Sequence, residues 1–157
     1  MIQRLQSILL AGVVLSMITL LFVPIWHKES PSTKEQVTVT AFAIKSDLKT
    51  GSAEKPLLLI GALAIAAAGI AGYSIFQYKK RTLQLLLGIV NSLVLMGVLG
   101  AMWYCVQFDA STILTTKDPA KFGLGFFMPA ISMILNMLSS RFIRRDEKLV
   151  SSADRLR

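Results

Sequence analysis

Four apolar stretches dominate the chain, and polar segments of very unequal length separate them. Residues 56–76 and 83–106 form the central pair, and neither contains an Asp, Glu, Lys, Arg or His. Each is near the ~20 residues a helix needs to cross ~30 Å of hydrocarbon. Only Gln77-Tyr78-Lys79-Lys80-Arg81-Thr82 lies between them. So short a turn predicts two antiparallel spans.

A first span is predicted over residues 7–26. Its apolar run is longer than the ~7–15 residues of a signal-peptide core, and the run closes on the bulky Val23-Pro24-Ile25-Trp26 rather than on small residues. It reads as an uncleaved span, with Trp26 at the interface. A fourth span is predicted over 122–140. Gly123, Gly125 and Pro129 weaken its first turns, because proline leaves the carbonyl four residues earlier without its donor. That predicts a start near Phe126 or a kink there.

The polar segments are loops at 27–55 and 107–121, the turn at 77–82 and a tail at 141–157. Within the first loop, 36–44 alternates: Val37, Val39, Ala41 and Ala43 face one way, and Thr38, Thr40, Phe42 and Ile44 the other. Period two with β-branched residues predicts a strand. A lone strand is unstable, so a partner is expected just past Ser46-Asp47 or in 111–116, giving a cap of two or three strands. The tail repeats Phe142, Leu149, Ala153 and Leu156 as a narrow stripe on a charged helix that continues the fourth span. The fold class expected is therefore an all-α integral membrane protein, a four-transmembrane-helix bundle with a small, partly β cap and one domain over 1–157.

Composition agrees. The 157 residues are 54% hydrophobic and 17% charged, against the ~45–50% apolar share of soluble domains. The net charge of +8 is unevenly placed. The amino terminus, the 77–82 turn and the tail hold ten cations, including all seven arginines, and three acids. The two loops hold seven lysines and six acids. The positive-inside rule then puts both termini in the cytoplasm and makes anionic headgroups the bland partner of the basic residues, in place of nucleic acid.

Candidate chemistry is sparse. One cysteine (Cys105) and one histidine (His27) give neither a disulfide nor a multi-histidine metal site within the chain. No carboxylate lies inside a span to mark a proton path. No catalytic residue, metal or cofactor is expected. The most polar intramembrane groups are Asn91 and Asn136. With Ser92 and Ser132 they are candidates for helix packing or for a ligand, and interhelical hydrogen bonding is the commoner use. Small residues on the second span (Ala64, Ala68, Gly72) and third (Gly88, Ser92, Gly97, Gly100, Ala101) predict close packing of that pair. Arg141, Arg144, Arg145, Asp146, Glu147, Lys148, Arg155 and Arg157 are candidates for contacting headgroups or docking a membrane or cytoplasmic protein.

The tail also carries a resemblance. Asn136, then Arg141-Phe142-Ile143-Arg144-Arg145-Asp146-Glu147-Lys148-Leu149-Val150, then Ser152-Ala153-Asp154-Arg155-Leu156-Arg157 is similar to the ending of a bacterial membrane family catalogued as domain of unknown function 4293. Met1-Ile2-Gln3-Arg4-Leu5-Gln6-Ser7 and Gly125-Phe126-Phe127-Met128-Pro129 also resemble that family. Ser151 stands where the family usually has a basic residue. The resemblance covers the whole chain and implies four spans in a bacterial cytoplasmic membrane. It implies no activity, substrate or cofactor. The function expected is a non-enzymatic accessory or scaffold subunit that docks a partner through its tail. The alternative is a small-ligand or lipid carrier with a polar cavity near Asn91, Ser132 and Asn136.

Overall fold

The computed structural model describes residues 2–30, 35–48, 51–78, 80–113 and 119–155, with side chains described from residue 5 to residue 145 of these. Helix α1 (Ile2–Phe22) leads into strands β1 (Trp26–Ser30), β2 (Glu35–Val39), β3 (Ala43–Leu48) and β4 (Gly51–Pro56). Helices α2 (Leu58–Phe76) and α3 (Arg81–Tyr104) follow. A π-helical segment, Cys105–Ala110, and a single turn, Ser111–Ile113, extend α3. Strand β5 (Lys121–Phe122) then precedes helix α4 (Leu124–Arg155).

The all-α expectation is overturned. Five antiparallel strands form one sheet in the order β4-β3-β2-β1-β5. The 36–44 stretch does not run as one strand. It folds into the β2–β3 hairpin, because the Thr40 hydroxyl donates to the Ala43 carbonyl at 2.8 Å while the Thr40 amide donates to the same carbonyl at 2.9 Å. Side-chain closure of this kind gives the backbone an alternative to the ladder. β4 lies just past Ser46-Asp47 and pairs with β3 from Ala43↔Pro56 to Leu48↔Gly51. The other predicted partner fails over Ser111–Ile113, which is helical, and its 114–116 portion lies outside the described residues. β1 and β4 carry His27-Lys28-Glu29 and Glu54-Lys55 in place of an alternating apolar pattern. Their strand conformation comes from their neighbours rather than from their own propensity.

The sheet shares its core with the helices. Val37, Val39 and Ala41 are buried as the alternation predicts, and Ile44 joins them beyond the turn. They pack in one cluster with Ile25 and Trp26, with Met17 and Leu20 of α1, with Ile60 and Ala64 of α2, and with Met102 and Val106 at the end of α3. The cap is thus built onto one end of the helices, called here the sheet end. The carboxyl end of α2, the start of α3 and the far end of α4 lie at the other, the tail end. The four long helices pack in cyclic order, α1 on α2, α2 on α3, α3 on α4 and α4 on α1.

All four are long and apolar enough to cross a membrane. Large apolar side chains such as Ile8, Leu15, Ile65, Leu86, Leu93 and Ile134 point outward, while small ones (Ala64, Ala67, Ala71, Gly88) lie inside. With an apolar outside, van der Waals fit and interhelical hydrogen bonds hold the helices together.

Helix α4 begins at Leu124, two residues before the predicted Phe126, and takes Pro129 into its body. The glycines on either side of this start, Gly123 and Gly125, allow close approach. The Gly123 amide donates to the Ile25 carbonyl at 2.9 Å and the Gly125 amide to the Pro24 carbonyl at 3.2 Å. A Cβ on Gly123 would lie 2.2 Å from the Pro24 oxygen. These two bonds clamp the start of α4 to the α1–β1 connection and set β5 beside β1.

Candidate functional site

The polar residues inside the helical layer are concentrated by depth. The sheet half of the interior is mostly apolar (Met17, Leu20, Ile60, Ala64, Leu95, Val98 and Met102), with Ser16 and Ser132 buried within it. The tail half buries Gln6, Ser74, Gln84, Asn91, Asn136 and Ser139.

The four candidate residues of the spans divide between two helix junctions. At the α3–α4 junction, Asn136 Nδ2 donates to the Gly88 carbonyl at 2.7 Å and to Ser92 Oγ at 2.9 Å. Ser92 Oγ in turn donates to the Gly88 carbonyl at 3.0 Å. At the α1–α4 junction, Ser132 Oγ shares a short hydrogen bond with Ser16 Oγ. Ser16 Oγ also lies within hydrogen-bond distance of the Gly12 and Val13 carbonyls, at 2.9 and 3.0 Å. Asn91 belongs to neither junction. It is 1% exposed, and neither its Nδ2 nor its Oδ1 has a partner among the described residues. The same holds for Asn136 Oδ1, Gln6 Nε2 and the hydroxyls of Ser74 and Ser139.

The sequence reading missed Ser16, Gln84 and the particular role of Gly88. Ser16 is one of two hydroxyls within an apolar run, with Thr19, and it faces Ser132 on α4. Gln84 Nε2 donates to the Ser74 carbonyl at 3.1 Å and so closes the α2–α3 turn from the side. The small-residue seam predicted for α2 and α3 is only partly used. Ala64 is buried, but a Cβ on Gly100 would meet nothing within 4 Å. The close contact falls instead at Gly88, where a Cβ would lie 2.8 Å from Ser140 Oγ on α4.

Around this contact α3 and α4 part to form a groove of about 320 Å³. Gly88, Ser92 and Ser140 line its polar side, Ile89 and Met137 its apolar walls, and Arg141 and Arg144 its rim. Of the tail candidates, Arg141, Arg144 and Arg145 are exposed. The helix backbone continues through Asp146, Glu147, Lys148 and Arg155, whose side chains lie outside the described residues, as does Arg157 altogether.

At the sheet end, His27 Nδ1 lies 2.9 Å from Thr38 Oγ1, a cross-strand pair between β1 and β2. Lys55 Nζ bonds Asp109 Oδ1 at 2.5 Å and ties β4 to the π-helical segment. That hydrogen bond and the carboxylate charge hold the Lys55 ammonium above its ordinary range. Among the described residues no three His, Cys, Asp or Glu side chains gather at one point.

No curated protein matches the chain. A family model described as "Domain of unknown function (DUF4293)" matches residues 2–156, which is essentially the whole chain. The protein is a member of the DUF4293 family.

Proposed function

We propose that this protein is an integral membrane scaffold subunit, without catalysis of its own, that presents its basic tail helix to a partner on the cytoplasmic side. One observation carries the reading. Helix α4 runs unbroken from Leu124 to Arg155, and its 32 residues rise about 48 Å against ~30 Å of hydrocarbon. The apolar run of α4 closes at Ser140, before Arg141, so the helix continues fifteen residues beyond it. A rigid rod with mixed charge suits a protein partner better than a plain lipid anchor. The uneven distribution of arginine supports the orientation, with the tail and the 77–80 turn in the cytoplasm of a bacterial cell and the sheet outside.

The hydrogen bonds of Ser132 and Asn136 favour a scaffold over a small-ligand carrier, since both side chains join helices. The test is affinity purification of the full chain beside a version ending at Arg145, which keeps the buried Ile143 in place. A defined protein partner retained by the full chain and lost by the shortened one supports the reading. Equal recovery with both forms contradicts it.

A further inference from the structure

We infer that the groove between α3 and α4 binds the headgroup of one anionic phospholipid, with its phosphodiester on Arg141 and Arg144. The inference rests on reading the helices as membrane-crossing, and adds a ligand site to that reading.

Depth is the first argument. Counted from Leu124 along α4, Met137 lies about 20 Å, Arg141 about 26 Å and Arg144 about 30 Å from the start of the helix, so the two guanidinium groups fall at the far headgroup layer of a ~30 Å core. Below them Ile89 and Met137, both exposed, offer an apolar wall at acyl-chain depth. The second argument is charge. Arg141 and Arg144 stand three residues apart on one helix face, and among the described residues no carboxylate pairs with either. Guanidinium groups present forked donors that match phosphate oxygens.

The polar side of the groove completes the site. Ser140 Oγ faces Gly88, whose lack of a side chain leaves room at the base of the groove. Ser92 is held by Asn136 and by the Gly88 carbonyl, so this side is fixed before any lipid arrives. A volume near 320 Å³ fits a headgroup rather than a whole lipid. The acyl chains would then run down the outer face past Ile89 and Met137, where bulk lipid already lies. Arg145 is also exposed but does not line the groove, which makes it the internal control.

The test is lipid titration of the full chain in detergent, read by native mass spectrometry. The probes are phosphatidylglycerol, phosphatidylcholine with the same acyl chains, and inorganic phosphate as competitor. Arg141→Gln and Arg144→Gln are each expected to weaken phosphatidylglycerol binding about fivefold, and Arg145→Gln less than about twofold. Met137→Trp, which fills the groove without changing charge, is expected to weaken it as well. The site is overturned if Arg145→Gln costs as much as either rim arginine, because the attraction is then diffuse. It is also overturned if Met137→Trp has no effect, if phosphatidylcholine binds equally, or if inorganic phosphate displaces the lipid. Alkaline extraction of membranes tests the underlying reading separately. Release of the chain by alkali contradicts membrane crossing, while the titration still decides the groove.

Discussion

Asn136 Nδ2 donates to the Gly88 carbonyl at 2.7 Å, joining α4 to α3 at a glycine whose missing side chain lets Ser140 approach. The same amide reaches Ser92 Oγ, so one side chain on α4 holds two groups on α3. Asn136→Leu removes both bonds. Interhelical hydrogen bonds in membranes average about 0.6 kcal/mol and reach about 1.7, so a loss of about 1–2 kcal/mol is expected, measured by steric-trap unfolding in bicelles. Asn91→Leu should behave differently. Its amide is buried with no partner among the described residues, and replacing an unpaired polar group by an apolar one of similar size is neutral or stabilising. Equal destabilisation by the two substitutions would refute the division of roles.

The Gly88–Ser140 contact makes its own prediction. Gly88→Ala puts a methyl 2.8 Å from Ser140 Oγ, and overpacking of this kind costs about 1–3 kcal/mol. Ser140→Ala removes the opposing atom. The double substitution should recover at least about 0.5 kcal/mol relative to the sum of the singles, read from the same unfolding assay as a double-mutant cycle.

Other glycines differ widely in what an added side chain would meet. Gly123→Ala forces a Cβ to within 2.2 Å of the Pro24 backbone oxygen, and backbone cannot yield as a side chain does. A loss of about 3 kcal/mol or more is expected, with the start of α4 displaced from β1. Gly100→Ala meets nothing within 4 Å and should be neutral or gain up to about 1 kcal/mol from helix propensity. Thermal unfolding in detergent distinguishes the two.

The Lys55–Asp109 bridge gives a pH dependence with a definite sign. The Lys55 ammonium is held above its ordinary value of 10.5, first by the hydrogen bond to Asp109 and then by the carboxylate charge. Its stabilisation is therefore complete below that ordinary value and is lost as pH rises past it through the higher native value. The lysine is solvent-facing, so salt should weaken the bridge. Lys55→Gln should lower thermal stability slightly in low salt at neutral pH, and the difference from the parent should vanish above the native titration or in high salt. A difference that persists there would assign the effect to packing.

The spans could be read from the chain because hydrocarbon demands a run of some twenty apolar residues, and 56–76 and 83–106 meet that demand without a charge. The sheet could be read only in part: strand character within 36–44 and a partner just past Ser46-Asp47 were legible, but the five strands were not. β4 is made of small and charged residues, and β1 is polar after Trp26; both hold strand geometry through pairing, and the hairpin within 35–48 is closed by one threonine hydroxyl that a period-two pattern does not register. Among the candidate residues, Ser132 and Asn136 were legible as polar side chains four residues apart within an apolar span, and so on one stripe of its helix. Their partners were not, because a stripe fixes the face of its own helix and leaves the facing helix open. Gly97 and Gly100 match the small-residue motif as well as Gly88 does, yet only Gly88 among them has a neighbour at close range.

Sidedness is the claim on which the scaffold reading depends. The decisive measurement is labelling of intact cells with a membrane-impermeant maleimide, in a Cys105→Ser background carrying either Ser52→Cys on β4 or Ser151→Cys in the tail. The predicted result is labelling of the first in intact cells and of the second only after permeabilisation. Labelling of the tail in intact cells, or protection of β4, would contradict the account.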